Sequence, residues 1–298
     1  MARLLFVHAH PDDETLTCGV AMAHHVARGD EVHVLTCTLG EEGEVIPADL
    51  THLEGHPDDA LGPHRHAELT EALARLGATM HVLGADPATG RLSRFRDSGM
   101  AGSPAASRPD AFAGADLDEV AALVADVLRS VRPDVVVTYD EHGGYGHPDH
   151  VRTHDAVRRA LPLLEESERP ERTFEILTPV SWARADRSWL LEADPATRAR
   201  PDGLPPLVLP ARTDPFPPSV VADERVTHVV EDAAARRVKN DALRAHATQV
   251  IVASEDVHAL SNLIAARTTA REGFRRVDPL TWQTVGGAVA ASEPGLLA

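Results

Sequence analysis

Short, uninterrupted apolar runs alternate along this chain with longer stretches in which apolar residues recur every three or four positions. The first run is Leu4-Leu5-Phe6-Val7, and the helical pattern that follows it closes at Gly29. Read this way, the chain predicts strands over residues 3–7, 31–37, 80–84 and 134–139. Helices are predicted over 13–28, 64–76, which closes at Gly77, and 116–131. Runs this short and this apolar suit strands buried on both faces, and their alternation with helices implies a mostly parallel sheet flanked by helices, a Rossmann-like α/β fold. With right-handed crossovers the fourth strand lies beside the first, on the side away from the second. Ligands bind in the crevice outside the strand ends at that reversal. Further on, a strand is expected over 226–230, a helix over 232–247 with Arg236, Arg237 and Arg244 on its surface, and a short buried piece over 260–266. Residues 102–115 and the Pro-rich 194–218 read as linkers, the second as a pocket cover or a boundary. The expected organisation is one continuous domain: a metal-binding catalytic core over 1–180, and a smaller C-terminal region, 181–298, that completes the fold and covers the pocket.

The chemistry gathers where two of these strands end. The first strand runs into His8-Ala9-His10-Pro11-Asp12-Asp13-Glu14, and the fourth into Glu141-His142-Gly143-Gly144-Tyr145-Gly146-His147-Pro148-Asp149-His150. Pro11 is expected in the first turn of the following helix. His10 and Asp13 stand three apart across a strand-to-helix turn, as do His147 and His150, and a borderline cation such as zinc accepts imidazole and carboxylate together. An aspartate before a helix is ordinarily an N-cap, but one aspartate would serve for that. The repeat of the same letters at His56-Pro57-Asp58-Asp59 follows no strand and reads as solvated loop. His8 shares a side with His10 by strand alternation and is an alternative ligand.

Six blocks of text, residues 4–13 (LLFVHAHPDD), 36–45 (TCTLGEEGEV), 96–102 (RDSGMAG), 135–140 (VVVTYD), 143–150 (GGYGHPDH) and 243–250 (LRAHATQV), carry a resemblance. On them the chain resembles the LmbE-like, or PIG-L, family of zinc-dependent N-acetylglucosaminyl deacetylases, and within it the branch that serves mycothiol biosynthesis. The likeness weakens between about residues 184 and 226. It implies an enzyme that removes acetate from a small pseudo-disaccharide, 1-O-(2-acetamido-2-deoxy-α-D-glucopyranosyl)-1D-myo-inositol. It also implies one zinc ion per chain, held by His10, Asp13 and His150, with iron(II) an alternative for the same donors. By the same resemblance Asp12 is the general base and Tyr145, His147 and Asp149 assist catalysis, Asp149 by orienting His147 through a carboxylate–imidazole hydrogen bond. Arg65, Asp97 and Met100 then bind substrate, although an Asx-turn is the plainer reading of Asp97 before Ser98-Gly99. The sister amidase, which cleaves mycothiol S-conjugates, tends to carry a lysine just after the His-Pro-Asp-Asp motif, where this chain has Thr15-Leu16-Thr17. It also lacks the Arg-Asp-Ser-Gly-Met-Ala-Gly text, so the deacetylase is favoured. His142 departs from the family pattern, and Glu41, Glu42 and Glu44 read as solvated charge.

Composition narrows the partners. A formal charge of −17 over 298 residues argues against nucleic acid and anionic membranes, both of which need basic patches. A non-catalytic nucleotide-binding module would want a Gly-rich G-x-G-x-x-G turn after the first strand, where this chain has His-Pro-Asp-Asp-Glu. No apolar run is long enough for a signal peptide or a membrane span, and the two cysteines, Cys18 and Cys37, form no C-x-x-C pair, so a reduced cytoplasm is expected. His246 reads as a hydrogen-bonded core histidine. No feature of the sequence sets an oligomeric state.

Overall fold

In a computed structural model that describes residues 1–286 and 295–297, one seven-stranded sheet organises the chain. Its strands are β1 (Arg3–His8), β2 (Glu31–Thr36), β3 (Thr79–Val82), β4 (Val135–Tyr139), β5 (Arg172–Ile176), β6 (His228–Glu231) and β7 (Arg271–Val277), in the order β3-β2-β1-β4-β5-β7-β6. The first five are parallel, and β7 runs antiparallel to both β5 and β6. β4 lies against β1 on the side away from β2, where the alternation of elements puts it. The reversal point therefore falls between the ends of β1 and β4.

Helices α1 (Asp13–Ala27), α2 (Leu61–Leu76), α3 (Leu117–Val131) and α4 (Pro148–Ala160) cover the two faces. Leu4 and Phe6 of β1 join a cluster with Met22, Leu69 and Leu73, while Leu5 and Val7 join one with Val124, Leu128 and Val157. Alternate side chains of a single strand thus feed opposite layers, which is why the strand reads as one continuous apolar run. α3 begins where Asp116 accepts the Glu119 N–H at 2.9 Å, and α2 ends at Gly77 in the left-handed conformation.

Several expectations need correction. Pro11 lies outside α1, which starts at Asp13 because Asp12 breaks the helical path with φ +113° and ψ −34°. α2 begins three residues earlier than the spacing indicates. Strands β5 and β7 and helix α5 (Val180–Glu192) have no counterpart in the sequence reading: β5 and β7 carry Glu175, Glu272, Arg271 and Arg275, whose ion-pair partners lie far along the chain. Residues 102–115 are no linker; they form two 3₁₀ turns that bury Phe112. Within 260–266 only Ala265 is buried, and the apolar anchors there are Val257 and Ala259. β6 and β7 extend the sheet of the N-terminal half, so the C-terminal residues complete one sheet. Among the described residues no helix is long and apolar enough to cross a membrane.

Candidate metal centre and active site

The carboxyl ends of β1 and β4 meet at one end of a cavity of about 910 Å³. Its wall combines the two His-Pro-Asp turns with the loop around Asp97 and with C-terminal residues that include Trp182, Asp186, His258 and Arg271.

Three donors form a nearly equilateral triangle at the cavity floor. His150 Nε2 lies 3.2 Å from His10 Nδ1 and 3.2 Å from Asp13 Oδ2, and His10 Nδ1 lies 3.4 Å from that oxygen. A tetrahedral ion with bonds of about 2.1 Å needs donors about 3.4 Å apart, so the triangle fits zinc-sized coordination. The outer nitrogens are already occupied. His10 Nε2 donates to Asp149 Oδ2 at 3.2 Å, and His150 Nδ1 donates to the Gly143 carbonyl at 3.2 Å. Each imidazole therefore turns a lone pair inward, the arrangement by which outer partners fix a metal-binding tautomer. Gly143 permits this through φ +60°, and an added Cβ there would stand 2.6 Å from the Val151 nitrogen.

Tyr139, which the sequence reading treated only as the end of a strand, completes the floor. Its hydroxyl donates to Asp13 Oδ2 at 2.8 Å and accepts the Ala9 N–H at 3.0 Å, and its ring stacks on His150 at 4.3 Å. A phenol at the end of a buried strand was the available signal, since a buried hydroxyl must find a partner.

Asp12 stands beside the triangle. Burial pushes its carboxyl up to about 7, against the opposing pull of Arg65. Its backbone occupies the left-handed region, a strain of roughly 1–3 kcal/mol that surrounding contacts must offset. Arg65 supplies some of them, donating to the Pro11 carbonyl at 2.5 Å, to Asp12 Oδ2 at 3.2 Å and to the Gly40 carbonyl at 2.6 Å. Arg65, expected to bind substrate, lines the cavity but is 3% exposed, and each of its terminal nitrogens already donates to the protein. Gly40 makes room for it, because a Cβ there would overlap the guanidinium.

The remaining residues divide. Tyr145 is exposed at the cavity wall, edge-on to His150, and Met100 is exposed at the rim. His147 Nδ1 accepts the Asp149 N–H at 3.2 Å, which places the ring proton on Nε2. The expected Asp149–His147 side-chain bond is overturned, since the Asp149 carboxylate goes to His10 and to the Ser98 N–H. Nor is His147 held protonated: burial and the two neighbouring imidazoles push it down to about 4. Asp97 forms the Asx-turn, accepting the Gly99 N–H at 2.8 Å, and its carboxylate also accepts the Glu42 N–H at 3.3 Å and lies 3.4 Å from His10 Nε2. Glu41 is no solvated charge; it accepts the Asp97 N–H at 2.9 Å. His8 is fully buried, with neither ring nitrogen partnered, and takes no part in the triangle. His142 is exposed beside Glu141, and the second copy of the motif sits at the surface, where Asp59 pairs with Arg96.

Residues 5–161 match the PIG-L family, described as GlcNAc-PI de-N-acetylase. The chain belongs to this family. It is 46% identical over 285 residues to a 1D-myo-inositol 2-acetamido-2-deoxy-alpha-D-glucopyranoside deacetylase of Rhodococcus opacus, covering 91% of this chain and 90% of that one. A protein of the same description from Thermomonospora curvata is 42% identical over 277 residues, 93% of this chain and 90% of the relative. Among solved structures, the N,N'-diacetylchitobiose deacetylase of Pyrococcus horikoshii superposes with a TM-score of 0.52 at 17% identity, covering 95% of this chain and 86% of that one. A 4-carboxy-2-hydroxymuconate hydratase of Pseudomonas putida gives 0.52 at 17% identity, covering 96% of this chain and all of that one. At such identities the likeness shows the fold alone, and chemistry must be argued from the site.

Proposed function

We propose that this PIG-L protein hydrolyses the acetamide of 1-O-(2-acetamido-2-deoxy-α-D-glucopyranosyl)-1D-myo-inositol, releasing acetate and the free amine, with one divalent ion held by His10, Asp13 and His150. The observation that carries the reading is the donor triangle, with edges of 3.2 to 3.4 Å, beside a buried carboxyl that is neither one of its corners nor held far below neutrality. A bound divalent ion supplies Lewis-acid polarisation and makes water acidic enough to attack an amide.

The chain's own groups perform the rest. Asp12 takes the proton of the attacking water and, with a proton affinity near neutrality, can return it to the departing nitrogen. The His147 Nε2–H and the Tyr145 hydroxyl, both in the cavity lining, provide donors for the oxygen that gains negative charge. Zinc suits two nitrogens and one oxygen, and iron(II) accepts the same set. The absence of a membrane-length helix among the described residues and the charge of −17 agree with a small polar substrate met in the cytoplasm.

The test is amine release from N-acetylglucosaminyl-inositol and, side by side, from a mycothiol S-conjugate, with metal content measured on the same samples. Faster turnover of the first supports the assignment; preference for the conjugate replaces it with the amidase. His10→Ala and His150→Ala should each empty the site, whereas His56→Ala should leave one ion bound. Asp12→Ala should keep the ion and lose at least about 10²-fold in kcat.

A further inference from the structure

Behind the strained turn, and outside the cavity wall, lies a fully buried polar chain that the proposed chemistry does not use. The Asp12 N–H donates to Glu14 Oε2 at 3.0 Å. The other oxygen, Glu14 Oε1, accepts from His246 Nε2 at 2.9 Å and from the Thr15 hydroxyl at 2.5 Å. Glu14, Thr15 and His246 are each 0% exposed. His246 comes from a turn that follows helix α6 (Ala233–Leu243), more than two hundred residues along the chain.

A carboxylate so placed costs free energy unless both oxygens are satisfied, and here one oxygen is spent on the single residue whose backbone departs from the helix. The Glu14 carboxylate cannot shift without releasing the Asp12 N–H, and His246 stops it from shifting. Arg65 meanwhile holds the Asp12 side chain from the other side. The turn is thus gripped at its backbone by the C-terminal region and at its carboxylate by α2.

We infer that His246 is a positioning residue that acts through Glu14 on the backbone of Asp12, holding it in the left-handed conformation that aims its carboxylate into the cavity. Within the deacetylase reading, on which this rests, the C-terminal region then contributes to rate as well as to cover. His246→Leu removes the donor to Glu14 at similar volume, whereas in His246→Gln the amide Nε2 can still reach it.

The experiment uses the full-length, metal-loaded enzyme with N-acetylglucosaminyl-inositol, together with backbone hydrogen exchange over residues 8–16 in metal-stripped protein. His246→Leu should lose at least about tenfold in kcat with KM within about twofold and one ion still bound, and exchange over 8–16 should quicken. His246→Gln should recover most of both. Wild-type kcat in His246→Leu, slowed turnover with unaltered exchange, or loss of the ion along with the rate would each overturn the assignment. Should His246→Leu not fold, His246→Asn, too short to reach Glu14, must show the same pairing of slower turnover and faster exchange. If the wild type does not act on this substrate, the deacetylase reading fails and the exchange comparison alone decides the positioning role.

Discussion

At the scale of single residues, the site depends on side chains that touch neither substrate nor metal. Tyr139 fixes the oxygen that Asp13 offers to the triangle. Tyr139→Phe keeps the ring on His150 and removes the donor, so metal affinity should fall about 10- to 100-fold, the usual scale for such outer partners, as read by competition with a chelator. Gly40 serves in the opposite sense, by having no side chain. Gly40→Ala meets the Arg65 guanidinium and must also adopt φ +66°. It should lower kcat through Asp12 while leaving metal content near one per chain, and unchanged turnover would show that Arg65 does not brace the base. Cys37, whose thiol burial pushes up to about 12, should resist alkylation at pH 8 in the native protein and react once unfolded.

At the scale of elements, a single ion pair ties three of them together. Lys239 of α6 donates to Glu272 of β7 at 2.9 Å and to the Leu16 carbonyl of α1 at 2.7 Å, while Glu272 accepts from the Val20 and Ala21 N–H groups. Both side chains are buried. Their mutual attraction does little more than offset desolvation, but removing one partner leaves a charge stranded. Lys239→Met should therefore cost about 3–5 kcal/mol in a denaturant titration. A loss below about 1 kcal/mol would mean that water reaches Glu272. The stem of Lys239 passes α1 at Gly19, where a Cβ would stand 2.8 Å from its Cγ. The only lysine of the chain is thus a structural residue.

For the whole molecule, stability should depend on pH through groups buried in the neutral state. His258 lies in the cavity wall, and its pKa is lowered to about 3, first by desolvation and then by the nearby Lys239. In the unfolded chain an imidazole titrates near 6.5, so the unfolded state binds a proton that the folded state refuses. The penalty is small above about pH 6.5; it grows as pH falls toward 3 and amounts to about 2.7 kcal/mol at pH 4.5. His258→Gln removes that term, so the wild type should lose melting temperature relative to the variant as the pH is lowered from 7 to 4.5. Parallel curves would show that His258 protonates freely in the folded protein.

How far the sequence carries the reading follows from the range of each interaction. β1, β4 and the turns after them were legible because buried parallel strands are uninterrupted apolar runs, and because His10 and Asp13, or His147 and His150, lie three residues apart. Chain order and the handedness of crossovers then brought the two turns together. Partner choice was not legible. Asp149 could serve His147 or His10 on spacing alone, and the fold turned its carboxylate to His10. Arg65 and Asp97 carry the chemistry of sugar ligands, yet their nearest acceptors and donors proved to be Pro11, Asp12, Gly40, Gly99, Glu42 and His10. Glu14 and His246 stand 232 positions apart, and no local pattern links them. Periodicity and motif spacing are properties of neighbours in the chain, whereas the pairing of buried polar groups is settled by which of them the folded backbone leaves within hydrogen-bonding reach.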